Sequence, residues 1–117
     1  MAGPPNIMIY ALKKNFDVQK AERFFKERRV PFQSVDLKKH KPGQREIALF
    51  CRAAGGAYAL VDRDSVKVMS HPVAHTHDEE RIAEYFAEDP SLMRLPIVRC
   101  GNKVTVGADE ETWKTWL

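Results

Sequence analysis

The two cysteines, Cys51 and Cys100, are the side chains of this 117-residue chain best suited to thiol chemistry. A thiol reacts as its thiolate, which needs a nearby positive charge or a helix N-terminus. Cys51 falls on the apolar side of a predicted helix, so we expect a buried structural thiol. Cys100 falls in a predicted hairpin turn, close to Arg99 and Lys103. We expect a more exposed surface thiol there, with a reactive or redox-sensing role as the alternative.

Three histidines, His71, His75 and His77, lie close together and superficially suggest a metal site. A well-placed fourth ligand is missing, and Pro72 disfavours the helical pairing of His71 with His75. We therefore expect a solvated loop and no metal. The basic run at 38–41, Lys-Lys-His-Lys, could contact nucleic acid or an acidic partner, but a charged linker is the simpler interpretation.

The composition places limits on the class of protein. Nineteen basic and sixteen acidic side chains give a net charge of +3, too small to indicate specific nucleic-acid binding. No apolar run reaches the roughly 20 residues of a membrane helix, and the N-terminus lacks the pattern of a secretory signal. Two cysteines make no disulfide framework. We expect one cytoplasmic domain over residues 1–117, present as a monomer.

The first part of the chain predicts a strand–helix–strand unit. Residues 6–10 form the apolar run of a buried strand, and a polar loop follows at 11–17. Asp17 stands at the expected N-cap of a helix that stops at Pro31. Residues 32–37 predict a second strand, parallel to the first through a right-handed crossover. The apolar face of the helix consists of Val18, Ala21, Phe24 and Phe25.

A second helix follows a polar linker at 38–43 and ends at Gly55-Gly56. Its apolar face consists of Ile47, Phe50, Cys51 and Ala54. Residues 57–75 show no clear pattern, although Val66 and Val68 alternate as they would in a strand. The sequence leaves this stretch unassigned.

The last part predicts a helix, a hairpin and a final helix. Thr76 and Glu79 predict a capping box. The strands at 95–99 and 103–106 form the hairpin, and Asp109 caps the closing helix. A parallel pair joined to an antiparallel hairpin is the thioredoxin-like arrangement. The apolar side of the closing helix consists of Trp113, Trp116 and Leu117.

Three stretches are similar to the arsenate reductase (ArsC)/Spx-like family: YALKKNFDVQKAERFFKERR at 10–29, EDPSLMRLPIV at 88–98 and VTVG at 104–107, before the tryptophan helix. The similarity covers nearly the whole chain, in order. It implies a thioredoxin-like α/β fold, with a four-stranded mixed sheet flanked by helices. It also implies a helical insertion between the βαβ unit and the C-terminal β-hairpin, so that 57–75 is loop and helix. A cis peptide bond before Pro96 should face the active-site loop.

The resemblance implies that catalytically active members carry a cysteine just before the first helix, at the position that matches Asn15. A helix N-terminus would lower the pKa of such a thiol. An asparagine offers no nucleophile and no redox chemistry, and no residue at 11–19 replaces the cysteine. The second cysteine of Spx-type members falls near Val18 and is absent too.

The anion-binding part of the family site also differs here. The family often has an arginine directly before the cis-proline, where this chain has Leu95, and Arg94 lies one residue earlier, on the opposite side of an extended segment. A basic residue usually precedes the serine of the middle loop, but Asp64 precedes Ser65, with Arg63 one further back. We predict a degenerate site around Asn15, Phe16, Val18, Arg63, Asp64, Arg94, Leu95 and Pro96.

These departures predict a non-catalytic binding or regulatory protein with a protein partner, as the Spx branch implies. The alternative is a thiol-dependent oxidoreductase of arsenate-reductase type, working with glutathione or glutaredoxin through Cys100 or a partner's thiol. We expect no cofactor, and only weak binding of a small anion or glutathione at the helix N-terminus. Asn15 itself either caps the helix or contacts a ligand.

Overall fold

Strand β1 lies inside a four-stranded mixed sheet in the computed structural model, which describes residues 6–12 and 15–117. The strand order is β2-β1-β3-β4, with β1 parallel to β2 and antiparallel to β3, and β3 antiparallel to β4. The strands are β1 (Ile7–Ala11), β2 (Phe32–Asp36), β3 (Ile97–Cys100) and β4 (Lys103–Val106).

Helices pack on both faces of this sheet. None of those in the described ranges is long and apolar enough to cross a bilayer. Short 3-10 segments at Pro72–His75 and Pro90–Leu92 link some of them. The α-helices are α1 (Phe16–Glu27), α2 (Gln44–Ala54), α3 (Ala57–Leu60), α4 (Val66–Met69), α5 (Glu79–Glu88) and α6 (Glu110–Lys114).

Two cores form because β1 alternates its side chains between the faces of the sheet. On the face covered by α1 and α6, Trp113 is buried and donates from Nε1 to Thr105 Oγ1 at 2.8 Å. The apolar residues of that core include Ile7, Ile9, Phe24, Phe25, Val98 and Trp113. The core under α2 and α5 includes Tyr10, Leu37, Ile47, Phe50, Ile82, Phe86 and Ile97.

The structure confirms the mixed four-stranded sheet and the helical insertion, which runs from α2 to α5 between β2 and β3. Gly55 ends α2 in the left-handed region, with φ 93°. The stretch 57–75 is loop and helix, as the resemblance implied. The strand-like alternation of Val66 and Val68 was misleading, because both lie in α4, where Val68 is buried and Val66 is 79% exposed.

Two predicted caps were wrong. Asn15 is the N-cap of α1, because the chain becomes helical at Phe16. The cap expected at Asp17 was therefore wrong, and the alternative in which Asn15 caps the helix is confirmed. Asp78 caps α5 in place of Thr76, and its Oδ1 accepts from the amides of the second and third helical residues at 3.1 and 3.3 Å.

The ends of the C-terminal elements also differ from expectation. Cys100 is the last residue of β3, paired with Lys103, and the hairpin turn lies at Gly101-Asn102. Leu117 is 51% exposed, whereas Trp113 and Trp116 are buried, and α6 ends at Lys114.

Candidate functional site

Asn15 lies between β1 and α1 and caps the helix through its side chain. Asn15 Oδ1 accepts from the amide of Val18 at 2.8 Å, and its carbonyl oxygen accepts from the amide of Gln19 at 3.0 Å. The backbone of Asn15 is extended, as an N-cap requires. Lys13 and Lys14, part of the predicted loop, lie outside the described residues. The side-chain oxygen of Asn15 thus pairs with a backbone N–H group that an uncapped helix end would offer to a ligand.

Pro96 is brought to the same end of the sheet by strand register. Tyr10 is paired with Ile97 in the antiparallel ladder, so one further step sets Pro96 beside Ala11, where the loop to α1 begins. The Leu95–Pro96 bond is cis, as the resemblance implied. The carbonyl of Pro96 accepts from the amide of Gly107 at 2.8 Å. The loop around Asn15 and the cis-proline therefore form one candidate site.

Arg94 and Leu95, the two residues before the cis-proline, differ in their exposure. Arg94 is exposed, and its backbone amide donates to the carbonyl of Leu60 at 2.8 Å. Leu95 is half-buried and packs against the core under α2 and α5. The residue directly before the cis-proline is thus an apolar side chain, which supplies no charge for an anion.

Arg63 and Asp64 belong to a segment that runs away from the cis-proline. Val61 forms an antiparallel bridge with Met93, so residues beyond 61 pass toward residues before 93. The Arg63 guanidinium lies 4.0 Å from the centre of the Tyr58 ring and donates to the carbonyl of Tyr58 at 3.3 Å. Arg63 therefore makes its contacts within the helical insertion, and Asp64 is exposed.

The first turn of α1 contains two contrasting apolar side chains. Phe16 is 77% exposed, whereas Val18 is buried against the sheet. Asp17 places a carboxylate in the same turn. A carboxylate in the first turn interacts favourably with the helix dipole but repels an anion that binds from solution. The helix end therefore combines one amide occupied by Asn15 with the negative charge of Asp17.

The two thiols are free and lie elsewhere. Cys100 is paired with Ile7 at the start of β1, four residues from Ala11, or roughly 13 Å along the strand. Cys51 is on α2, where burial and then the charge of Glu79 raise its pKa to about 11. Both thiols are half-buried, so the predicted contrast between a buried Cys51 and an exposed Cys100 was wrong.

A polar cluster that the sequence did not reveal lies on the α2 side of the sheet. The Tyr10 hydroxyl donates to Glu46 at 3.0 Å and accepts from Arg99 at 3.4 Å. Burial and Glu46 raise the pKa of Tyr10, against the opposing effect of Arg99. The cluster borders a cleft of about 710 Å³ next to the basic run at 38–41. No local spacing could have found it, because its members are 36 and 89 residues apart.

Two of the three histidines of the predicted loop, His71 and His77, contact aromatic rings, and His75 is exposed at the end of the 3-10 segment. His71 Nδ1 accepts from the amide of Val73 at 3.0 Å, and its ring meets Tyr85 edge-on at 4.9 Å. The His77 ring stacks on Tyr58 at 4.7 Å. In the part of the chain that the structure describes, no three His, Cys, Asp or Glu side chains are grouped as metal ligands.

Comparisons with known proteins agree with this architecture. The family model described as ArsC family matches residues 10–116. An arsenate reductase from Vibrio cholerae superposes with a TM-score of 0.83 at 16% identity, over 98% of this chain and 100% of that one. An ArsC-related protein from Brucella melitensis gives 0.71 at 17%, over 99% and 98%. The protein named YffB gives 0.81 at 19%, over 95% and 98%. The search of curated proteins found no match.

Proposed function

Because this chain belongs to the ArsC family, we propose that it is a non-catalytic member that works by binding a protein partner. One observation carries the proposal: Asn15 closes the N-terminus of α1 with its own side chain at 2.8 Å. By the family resemblance, this is the position of the reactive cysteine. An amide there stabilises the helix and cannot attack a substrate or accept electrons.

The placement of the chain's own thiols supports the proposal. Cys100 lies at the opposite end of β1 from the loop that contains Asn15. Cys51 keeps its proton at neutral pH, because burial raises its pKa to about 11. Neither thiol is therefore placed to replace a nucleophile at the N-terminus of α1.

The electrostatics of the same site support weak anion binding at most. Leu95 directly precedes the cis-proline, and Asp17 adds a negative charge in the first turn of α1. We expect a small oxyanion or glutathione to bind weakly there, because Asn15 Oδ1 already occupies one amide of the helix end and the Asp17 carboxylate repels an anion. A protein surface, which gains affinity from many contacts, is the better candidate for a ligand.

A tagged native chain tests the proposal by affinity capture from the cytoplasm of its own cell. We expect one protein to be recovered at a constant molar ratio to the bait, and to be recovered equally by Cys51→Ser and Cys100→Ser variants. Recovery that requires either thiol, or no partner at a constant ratio, would contradict the proposal.

The alternative is a reductase that works with glutathione or glutaredoxin. Its support is family membership together with the name of the Vibrio cholerae protein, an arsenate reductase. Arsenate turnover distinguishes the two functions, since the alternative needs a thiolate at the reacting centre and the binding function needs none.

A further inference from the structure

A groove between α2 and α5 lies outside the site around Asn15. It encloses about 660 Å³. Its floor is apolar: Ile47 is buried beneath it, and three alanines, Ala48, Ala83 and Ala87, are wholly or partly exposed along it. Because alanine side chains are small, they leave the groove open, and an apolar ridge of another molecule could lie in it.

One side of the groove is uniformly acidic. Glu80, Glu84 and Glu88 line it, and all three are exposed. Their spacing of four residues sets them one above the next along α5. This charge is opposite in sign to that of the whole chain, which is +3.

The fold compensates this charge only in part. Glu84 forms an exposed ion pair with Arg81 at 3.4 Å, but within the described part of the chain no ion pair involves Glu80 or Glu88. Like charges four residues apart repel each other within a helix. Glu88 is also the last residue of α5, whose final turn holds no basic residue, and the helix dipole disfavours a carboxylate there. These costs in the free protein would be relieved by a positively charged occupant.

We propose that the groove between α2 and α5 binds a basic amphipathic helix of a protein partner, with apolar residues against the alanines and lysines or arginines against the glutamates. This deepens the proposed function and depends on it. The ten residues of α5 span roughly 15 Å, enough to contact about three turns of a bound helix. A nucleic acid or an acidic peptide would meet like charge, and is not the occupant.

The test uses the full chain and two labelled helical peptides with leucines on one face and, on the other, lysines in one peptide and glutamates in the second. Fluorescence anisotropy measures affinity, and NMR chemical shifts locate the site. We expect saturable binding of the lysine peptide alone, with shifts at Ala48, Ala83 and Ala87. A Glu80→Gln/Glu88→Gln variant should bind about tenfold more weakly.

The control variant, Glu27→Gln/Glu111→Gln, changes the net charge equally at exposed carboxylates outside the groove, and should change affinity less than about twofold. Ala87→Arg, which fills the groove and adds a positive charge, should abolish binding while the circular dichroism spectrum stays native.

The proposal is overturned by equal weakening in both double variants, by no saturable binding of the lysine peptide, or by shifts outside the groove. It is also overturned if sedimentation shows that the glutamates hold a second copy of this chain. Arsenate turnover, which distinguishes the proposed function from the reductase alternative, does not depend on any of these results. A failure to bind the lysine peptide in the groove therefore leaves the proposed function standing.

Discussion

At the scale of single residues, an N-cap amide and a reactive thiol make opposite use of a helix end. A thiolate at this position would be stabilised by free amides and by the dipole. Asn15 Oδ1 accepts from one of those amides, that of Val18, at 2.8 Å. The position contributes to stability and carries no nucleophile, which is the basis of the proposed binding function.

Replacing Asn15 with alanine should lower the free energy of unfolding by about 1 kcal/mol, because the amide of Val18 loses its partner. Urea denaturation measures the change. Gln19→Ala, on the exposed side of the same helix, is the matched control and should lose nothing. An Asn15→Ala variant with an unchanged free energy of unfolding would show that Asn15 does not serve as the cap.

The Cys51 thiol should react slowly, because burial raises its pKa from 9.0 to about 11. In a Cys100→Ser variant, alkylation at pH 8 should be about a hundredfold slower in the folded protein than in urea, in line with the lower thiolate fraction. Iodoacetamide labelling followed by mass spectrometry gives both rates. Equal rates would refute the raised pKa.

Sequence could narrow each cap to a few residues but not choose among them. Asn15 and Asp17 both suit an N-cap, as do Thr76 and Asp78. The choice depends on which residue first adopts helical dihedral angles, and this is decided by packing of the helix rather than by the capping side chain. The caps expected at Asp17 and Thr76 therefore lie two residues from the observed ones, although capping by Asn15 was one of the two alternatives given for that residue.

At the scale of elements, carboxylates hold the short helices of the insertion. The four-residue helices α3 and α4 are too short to be stable alone. The Glu79 carboxylate accepts from the amides of Ala57 and Tyr58 at 2.6 and 2.8 Å, and so joins α5 to α3. Lys67 on α4 pairs with Asp89 at 2.7 Å. Helices of four residues scarcely exceed one helical period, so residues 57–75 show no hydrophobic periodicity in the sequence. The contacts that stabilise these helices come from residues distant in the sequence.

Glu79→Ala should destabilise the protein by roughly 1–2 kcal/mol, because two amides at the start of α3 lose a charged acceptor. Its neighbour provides the control: Glu80→Ala removes the same charge from the next residue and should change stability by less than about 0.5 kcal/mol. Thermal unfolding compares them. Similar losses in both variants would mean that Glu79 does not hold α3.

The Lys67–Asp89 pair should make stability depend on acid pH. Burial alone would raise the pKa of Asp89, but hydrogen bonds from Lys67 and Ser91 outweigh it and hold the pKa below 3.8. Because the folded pKa lies below the unfolded value of 3.8, this stabilisation is present above pH 3.8 and is lost as the pH falls through the folded pKa. Both side chains are partly exposed, so we expect only about 0.5 kcal/mol at pH 7.

Urea titrations of native protein and Lys67→Met from neutral to acid pH measure this effect. The difference between the two proteins should shrink as Asp89 takes up its proton. Lys103→Met, at an exposed lysine of β4 that forms no ion pair within the described part of the chain, is the control and should show no such pH dependence. A difference for Lys67→Met that stays constant down to acid pH would contradict the assignment.

At the scale of the whole molecule, strand register sets which segments meet. The pairing of Tyr10 with Ile97 brings the cis-proline to the loop that contains Asn15, and the pairing of Ile7 with Cys100 holds that thiol at the opposite end. The order of the elements and the family resemblance together predicted a four-stranded mixed sheet, whereas the order of its strands comes from the structure. The Tyr10–Glu46–Arg99 cluster and the groove between α2 and α5 were not predictable, since each joins residues far apart in the sequence. The four-residue spacing of the glutamates on α5 does not by itself show that α2 packs beside them.

Arsenate reduction by the native chain, with glutathione and glutaredoxin supplied, tests the central claim most directly. We predict a rate equal to that without the protein, because Asn15 supplies an amide at the position where the family resemblance implies a thiolate. An Asn15→Cys variant run in parallel shows whether the scaffold can still support a thiol of lowered pKa. Turnover by the native chain above the protein-free rate would contradict the account.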